Sequence, residues 1–252
     1  GKTSVQHLSY EYEGKGKLAI NNLTFEVNPG ETIAILGRVG SGKSTLLRLF
    51  VRLLDPSHGQ IYLDGHPING FPLARLREKV CLVLQDPFLF ADSLGDNIAY
   101  DNPGRDPSEI LEITKAAALD DTVEGFPEGL DTILGERGVT LSGGQKQRTA
   151  LARGLIRQSP ILILDDCFSA VDTETEERIL FGLKQMRKNS TTLLVSHRVS
   201  TARHADRIMV LEHGEIKEIG THNELLNLGG FYANLELAQR NTEDKPKPRR
   251  LG

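Results

Sequence analysis

Nine consecutive residues near the start of the chain have the types and spacing of a phosphate-binding loop. They read Gly37-Arg38-Val39-Gly40-Ser41-Gly42-Lys43-Ser44-Thr45 and fit the pattern G-x-x-x-x-G-K-[ST]. The glycines let the backbone turn tightly, so that successive N–H groups face phosphate oxygens. Lys43 supplies a positive charge for the outer phosphates, and the Ser44 hydroxyl is a suitable ligand for Mg²⁺. This stretch therefore predicts a site for a phosphorylated ligand and Mg²⁺.

The residues on either side of the loop provide the setting that phosphate binding requires. Thr32–Leu36 is a short apolar run typical of a buried strand, and residues 44–54 are long enough for a helix ended by Asp55-Pro56. The N-terminus of that helix adds its dipole to the anion site. The order strand, glycine loop, helix favours phosphate binding over a plain glycine-rich turn.

Polar residues also follow three other apolar runs: Gln85, Asp165, Asp166 and His197. Parallel sheets bind their ligands at the carboxyl ends of the strands. Asp165 could hold Mg²⁺ across from Ser44, and Asp166 could polarise an attacking water. His197 could contact a γ-phosphate, and Gln85 could sense the metal or the water. Taken singly, Asp165 could instead cap a helix, and His197 could be a packed histidine.

A second glycine-rich stretch, Leu141-Ser142-Gly143-Gly144-Gln145, directly precedes a predicted helix. A helix N-terminus of this kind can bind an anion, but here no Lys-Ser pair accompanies it. Because the chain already holds one full set of phosphate ligands, we expect this half-set to act on a nucleotide held by another chain. The alternative is a glycine-rich helix cap without a ligand.

Composition narrows the class of protein. The 252 residues allow one large domain or two small ones, and 38% hydrophobic and 25% charged residues are ordinary for a soluble globular chain. The net charge of −4 argues against a nucleic-acid-binding protein. We find no apolar run long enough for a membrane span and no signal peptide. Cys81 and Cys167 are isolated, which favours buried, reduced thiols in a cytosolic compartment.

The order of predicted elements indicates an α/β fold. We expect a phosphate-loop NTPase core with a mostly parallel sheet, an antiparallel β region at the start of the chain and a helical subdomain. The core would comprise about residues 1–84 and 159–240, and the helical subdomain about 86–158. Thr173 and Glu176 are spaced as a capping box for a helix over 173–185. Residues 241–252 are polar and proline-rich, so we predict a disordered tail.

Together these motifs resemble the nucleotide-binding domain of an ATP-binding-cassette (ABC) transporter, over about residues 3–238 and in the family's order. The resemblance implies ATP and Mg²⁺ as ligands, with all of residues 37–45 at the nucleotide and Ser44, Gln85 and Asp165 at the metal. The similar segments are Gly37–Thr45 (Walker A), Gln85 (Q-loop), Leu141–Gln145 (signature) and Ile161–Asp165 (Walker B).

The resemblance also implies roles for single residues outside those segments. Ser169 and Asp172 lie in a stretch similar to the D-loop, and His197 is similar to the switch histidine. Gln85, Asp166 and His197 would then be catalytic. Tyr12 falls where the family stacks an aromatic ring on adenine, although Tyr10 is close enough to compete.

The resemblance further implies the partners. Two such domains sandwich two ATP molecules, so Ser142, Gly143, Gly144 and Gln145 would act in trans on the nucleotide of a second nucleotide-binding domain. Gly135-Glu136-Arg137-Gly138 resembles the exporter branch, in which the membrane domain shares the polypeptide. This places the domain at the cytoplasmic face of a cell membrane, with no nucleic-acid partner.

One residue departs from the family's pattern. Hydrolytic sites of the family usually carry glutamate after the Walker B aspartate, whereas this chain carries Asp166. The shorter side chain sets its carboxylate back by roughly 1 Å, and a displacement of that size can cost about 10²-fold in rate. We therefore expect a degenerate site, as in one half of a heterodimeric multidrug or lipid exporter. The alternative is a homodimer in which Asp166 is a weaker base.

Two other classes of protein stay open at this point. One is a soluble, non-transport ATPase of the same superfamily, although its usual coiled-coil insertion or tandem second cassette is not seen in the sequence. The other is a regulatory subunit that holds ATP with negligible hydrolysis. Intact Lys43, Ser44, Gln85 and His197 argue for some catalysis.

Overall fold

The computed structural model describes residues 1–14, 16–135 and 139–243. Its strands are β1 (Thr3–Glu11), β2 (Leu18–Val27), β3 (Thr32–Leu36), β4 (His58–Leu63), β5 (His66–Pro67), β6 (Val80–Val83), β7 (Ile161–Asp165), β8 (Thr191–Val195), β9 (Arg207–Glu212) and β10 (Glu215–Gly220). Its helices are α1 (Lys43–Phe50), α2 (Leu73–Lys79), α3 (Leu94–Ile98), α4 (Pro107–Ala116), α5 (Asp120–Glu124), α6 (Gly143–Leu155), α7 (Thr173–Met186), α8 (Val199–Ala202), α9 (His222–Leu228) and α10 (Phe231–Glu243). Short 3₁₀ helices cover Ile68–Gly70 and Gly129–Asp131.

The strand that leads into the phosphate-binding loop lies inside a six-stranded sheet of order β10-β9-β3-β8-β7-β6. Neighbouring strands from β9 to β6 run parallel, and β10 is antiparallel to β9. Along β3, Ile33 and Ile35 pack into one core cluster, whereas Ala34 and Leu36 pack into another. Burial on both faces explains the continuous apolar runs, and the mostly parallel α/β core is confirmed.

A second sheet, β2-β1-β4-β5, is antiparallel throughout and confirms the β region predicted for the start of the chain. Helix α1 shares one core cluster with this sheet and with the parallel sheet, through Leu46, Leu47, Leu49 and Phe50. The helix is shorter than the predicted 44–54. Arg52 adopts a left-handed φ of 49°, and the Leu53 N–H turns back to the Arg48 carbonyl at 2.9 Å.

The segment between β6 and β7 is mainly helical, as predicted. Helices α3, α4 and α6 bury Ile98, Ile113 and Leu151 in a cluster that includes Leu162 and Leu164 of β7. The helical segment therefore packs on the face of the parallel sheet opposite α1. Its last helix, α6, begins beside the loop that follows β7, and this brings the second glycine stretch near the D-loop segment.

The prediction of a capping box for α7 is wrong. The N-cap of this helix is Asp172, whose carboxylate accepts a hydrogen bond from the Thr175 N–H at 2.9 Å. Glu176 instead turns inward, with 3% of its side chain exposed, and binds Arg198 at 2.8 Å. An aspartate one position earlier is the better cap because its oxygen reaches the free N–H groups of the first turn.

On the face of the parallel sheet opposite α1, the C-terminal helices cover the part formed by β3 and β9, where Val199, Ala202, Leu225 and Tyr232 pack. Helix α10 continues through Glu243, so its last three residues fall within the predicted tail. Residues 244–252 lie outside the described residues, as do residues 136–138 of the exporter-like stretch. None of the helices in the described part of the chain combines the length and apolarity needed to span a membrane.

Both cysteines are free and buried, as expected. Burial raises the pKa of the Cys81 thiol and that of the Cys167 thiol. Both thiols are therefore held in their unreactive, protonated form.

Candidate nucleotide site

A cleft of about 650 Å³ opens where β3, β7 and β8 end. A volume of this size is within the range of small-molecule sites. The cleft brings together predicted residues that are far apart in sequence, from the phosphate loop, the Q-loop, β7 and the end of β8. Its lining includes Tyr12, Val39, Gly40, Gly42, Lys43, Ser44, Thr45, Gln85, Asp165, Asp166 and His197.

The glycines of the phosphate loop are required by its geometry. Gly42 precedes α1 with φ of 106°, and a Cβ at this position would lie 2.5 Å from the Ala19 carbonyl oxygen. A Cβ at Gly37 would lie 2.2 Å from the Leu211 carbonyl oxygen. Any other residue would push the loop off β2 and β9. The loop therefore keeps its backbone close against two strands and leaves its other side open to the cleft.

The Lys43 ammonium is folded back onto the loop. It donates hydrogen bonds to the carbonyl oxygens of Gly37 at 2.7 Å and Arg38 at 3.0 Å. Burial lowers the pKa of Lys43, while the charges of Asp166 and Asp165 oppose that shift. A partly desolvated cation gains more from charged phosphate oxygens than from neutral carbonyls. The loop thus holds a positive charge ready for an anion.

Ser44 and Asp165 form a pair of hard oxygen ligands. The Ser44 side chain is hydrogen-bonded to the Asp165 carboxylate at the end of β7. Burial raises the pKa of Asp165, while Ser44 and Lys43 counter the shift. No cluster of three or more His, Cys, Asp or Glu ligands occurs among the described residues. The Ser44–Asp165 pair would suit Mg²⁺, which takes one or two protein oxygens and completes its shell with phosphates and water.

Asp165 is thus a strand-end residue rather than a helix cap. The next residue, Asp166, adopts a left-handed φ of 45°, and its N–H donates to the Val195 carbonyl at 3.1 Å. This turn directs the half-buried Asp166 side chain into the cleft. Aspartate is among the residues that tolerate the left-handed region best.

The side chain of Gln85 meets Asp166 rather than Asp165. Its Nε2 donates to Asp166 Oδ2 at 3.2 Å. Burial raises the pKa of Asp166, and this shift is opposed by His197 and reinforced by Asp165. Residues from three separate strand ends therefore meet around one carboxylate.

His197 is exposed and lines the cleft, so the alternative of a packed histidine does not describe it. Tyr12 also lines the cleft, and its hydroxyl lies 3.1 Å from Thr45 Oγ1. Tyr10 meets the Tyr12 ring edge-on at a centroid distance of 4.9 Å and packs against the core shared by the two sheets. Tyr12 rather than Tyr10 is therefore placed to face a ligand.

The second glycine stretch builds a complete helix cap. Ser142 Oγ accepts from the Gln145 N–H at 3.2 Å, and the Ser142 N–H donates to Gln145 Oε1 at 2.8 Å. A Cβ on Gly144 would lie 2.8 Å from the Ala170 carbonyl, so this glycine permits contact with the D-loop segment. Within the described ranges, Ser142–Gln145 do not line the cleft.

Gln147 is a residue of the site region that the sequence reasoning missed. It is 6% exposed, and its Nε2 donates to the Gln85 carbonyl at 3.2 Å and to Ser169 Oγ at 2.8 Å. Its Oε1 accepts from the Ala170 N–H at 2.9 Å. One amide thus joins the Q-loop, the D-loop segment and α6. The signal that could have identified Gln147 is a polar residue on the predicted buried face of a helix.

Arg198 makes a similar link that was also missed. Its guanidinium donates to the carbonyls of Ser169 and Val171, each at 3.3 Å, and pairs with buried Glu176. The residue after the predicted switch histidine therefore holds the D-loop segment.

Replacing Gln147 with alanine is expected to lower ATP turnover about tenfold, on the scale of the lost buried hydrogen bonds, with the affinity for ATP unchanged. The reason is that Gln147 holds Gln85 and Ser169 but does not line the cleft. The measurement is steady-state phosphate release. Glu112→Ala, on the exposed face of α4, is the control. Equal turnover in both variants would exclude this linking role.

The fold and the cleft together define a class of protein. A parallel sheet, a glycine loop between strand and helix, and an acidic residue ending a neighbouring strand are the features of phosphate-loop nucleotide hydrolases.

Comparison with known proteins identifies the family. A protein-family model described as ABC transporter matches residues 20–169. The chain therefore belongs to the ABC transporter family and is an ATPase domain of that family. The predicted resemblance is confirmed.

Among curated relatives, the chain is 45% identical over 238 residues to an ATP-dependent lipid A-core flippase of Haemophilus influenzae (strain 86-028NP), covering 93% of this chain and 40% of the relative. A flippase of the same name from Pasteurella multocida (strain Pm70) is 45% identical over 244 residues, covering 96% and 42%. A solved structure of a bacterial Atm1-family ABC exporter with ATP bound superposes with a TM-score of 0.90 at 39% identity, covering 94% of this chain and 42% of that chain. The chain thus spans about two fifths of these relatives.

Proposed function

We propose that the chain is the ATP-binding and ATP-hydrolysing module of an ABC exporter, in which ATP turnover drives a substrate across a membrane. The observation that carries the proposal is the cleft, where Lys43, Ser44, Asp165, Asp166 and His197 converge. The similarity to an exporter solved with ATP bound supports ATP as the ligand. The flippase relatives, which are named for lipid A-core, support a lipid type of cargo.

Each group in the cleft has a proposed role. Residues 37–45 hold the phosphates through backbone N–H groups and the Lys43 charge, and Tyr12 stacks on adenine. Ser44 and Asp165 hold Mg²⁺, with Gln85 beside them; the ion would neutralise charge on the phosphates. Asp166 orients the attacking water, and the exposed imidazole of His197 contacts the γ-phosphate.

A second nucleotide-binding domain completes the site in this proposal. Ser142, Gly143, Gly144 and Gln145 lie outside the cleft of their own chain, so their helix N-terminus is free for a nucleotide on the partner. The helical segment would act as a subdomain that presents this stretch. Ala170, which lies between Ser169 and Asp172, contacts Gly144, and Gln147 fixes the position of Ser169.

Asp166 makes the chain's own site the slower one in our proposal. Its carboxylate is one methylene shorter than the glutamate usual in the family. The signature stretch is intact, so the chain could still complete a fast site on a different partner. We therefore favour a heterodimer over the alternative of a homodimer in which Asp166 is a weaker base.

A groove beside the Q-loop is the proposed contact for the membrane domain. It encloses about 360 Å³, and Leu84, Phe88 and Tyr100 on its rim are 50%, 70% and 59% exposed. Neighbouring exposed apolar groups of this kind mark interaction surfaces. Because the chain spans about two fifths of its relatives, we propose that the membrane domain belongs to the same polypeptide. The module would then lie at the cytoplasmic face of the membrane.

The test of this function is phosphate release from Mg·ATP by the chain. We expect slow, saturable hydrolysis that is strongly lowered but still measurable in His197→Ala and retained in His58→Ala, an exposed histidine on the antiparallel sheet. Hydrolysis that is absent from the unmodified chain, alone and with a second nucleotide-binding domain, would favour a regulatory ATP-binding subunit instead.

A further inference from the structure

We propose that Gln239, on the last helix α10, is a positioning residue for His197, and that α10 thereby sets the efficiency of hydrolysis. The inference rests on the function proposed for the cleft. It adds a residue that lies about forty positions after His197 in the sequence and outside the segment matched by the family.

The nitrogen and the oxygen of the Gln239 side-chain amide both form hydrogen bonds with the loop that carries His197. Nε2 donates to the His197 carbonyl at 2.8 Å, and Oε1 accepts from the Val199 N–H at 2.8 Å. The amide therefore binds the backbone at both His197 and Val199, and we call these two hydrogen bonds the bracket. A donor and an acceptor fixed on one planar group restrain the position of that backbone in two directions.

Gln239 supplies a hydrogen-bond partner that the N-cap residue of the next helix does not. Helix α8 begins at Val199, and the side chain of its N-cap residue, Arg198, accepts no hydrogen bond from the first turn. The first N–H groups of a helix need partners from outside the helix. Gln239 supplies that partner for Val199. The His197 side chain is exposed, so little packing replaces the bracket.

Helix α10 is itself firmly held, which makes it a suitable support. The Glu218 carboxylate accepts hydrogen bonds from the N–H groups of Phe231 and Tyr232 at the start of the helix. Tyr232 is fully buried, and its hydroxyl lies 2.7 Å from His222 Nδ1. These contacts fix the helix about two turns before Gln239.

The same helix also contacts the phosphate loop. The guanidinium of Arg38 lies over the Phe231 ring, 5.7 Å from its centroid. One rigid helix thus contacts the phosphate loop at its first residue and the loop of His197 at its ninth. We infer that α10 holds the phosphate loop and the loop of His197 at a fixed distance from each other.

Loss of the bracket is expected to act on the rate and not on ATP affinity. A misplacement of about 1 Å in a catalytic group can lower a rate by up to about 10²-fold. ATP affinity arises mainly from residues 37–45, which Gln239 does not touch. We therefore expect kcat to fall about tenfold and KM for ATP to change less than about twofold on loss of one bracket.

The test compares Gln239→Ala and Gln239→Glu with Leu237→Ala, a control on the exposed face of the same helix. Glutamate keeps an acceptor for the Val199 N–H, but an ionised carboxylate has no proton to donate to the His197 carbonyl. Both Gln239 variants should lower kcat, while Leu237→Ala should match the unmodified chain. Unchanged kcat in Gln239→Glu would overturn the proposal.

A double-mutant cycle separates positioning from a general structural effect. In single-turnover assays, Gln239→Ala should cause no further loss once His197→Ala is present. A loss of the same factor in both backgrounds would overturn the proposal, because Gln239 would then act independently of His197.

The imidazole nitrogen signals of His197, followed by NMR, keep this test separate from that of the proposed function. They should shift in Gln239→Ala and stay unchanged in Leu237→Ala even if the unmodified chain hydrolyses no ATP. An unchanged signal in Gln239→Ala would overturn the positioning role.

Discussion

Replacing Asp166 with glutamate is expected to raise the rate of Mg·ATP hydrolysis at this chain's own phosphate loop by up to about 10²-fold. Glutamate extends the carboxylate by one methylene toward the water that it must orient. Asp166 already lies in the cleft with Gln85 at 3.2 Å, so the longer side chain enters a site whose other members are in place. The measurement is single-turnover hydrolysis under saturating ATP.

The backbone at Asp166 sets a second expectation for the same variant. Its φ of 45° is better tolerated by aspartate than by glutamate, so Asp166→Glu should unfold more readily, by about 1 kcal/mol. The control is Asp166→Asn, which keeps the size of the side chain but removes the charge and should hydrolyse more slowly than the unmodified chain. A glutamate variant no faster than the unmodified chain would refute the degenerate-site proposal.

Replacing Lys43 with alanine is expected to weaken ATP binding by about 10²-fold or more. The ammonium now bonds to two loop carbonyls and lies beside Asp165 and Asp166. Hydrogen bonds to a charged group contribute about 1.5–3 kcal/mol each, so two lost phosphate contacts account for an effect of this size. Without the lysine, the two carboxylates would also repel the phosphates.

Equilibrium titration with a fluorescent ATP analogue measures this loss of affinity. Lys79→Ala removes an exposed lysine at the end of α2 and is the matched control for net charge. Equal affinities in the two variants would show that Lys43 does not contact the nucleotide.

The local sequence was sufficient to predict the phosphate loop and the polar residues at the strand ends. Gly42 and Gly37 are dictated by close approach to Ala19 and Leu211, and this requirement leaves a pattern that the sequence displays directly. Asp165 and His197 could be placed because parallel strands end at one edge of a sheet. These inferences needed no knowledge of which side chains meet.

The contacts that hold the site together could not be predicted in this way. Gln147 bonds to Gln85 across 62 positions, and Gln239 bonds to His197 across 42. Each pairing depends on how two helices pack against separate loops, and neither leaves a periodic or short-range signal. The prediction of the α7 cap was wrong for a related reason. Asp172 and Thr173 are both good caps, and the residue at which the preceding loop ends determines which of them caps the helix.

Direct titration of the unmodified chain with Mg·ATP, followed by calorimetry, tests the central claim that residues 37–45 and the strand-end residues form a nucleotide site. The account predicts saturable binding of one nucleotide per chain, with weaker binding when Mg²⁺ is removed. A titration with no saturable heat, or with an affinity indifferent to Mg²⁺, would contradict it.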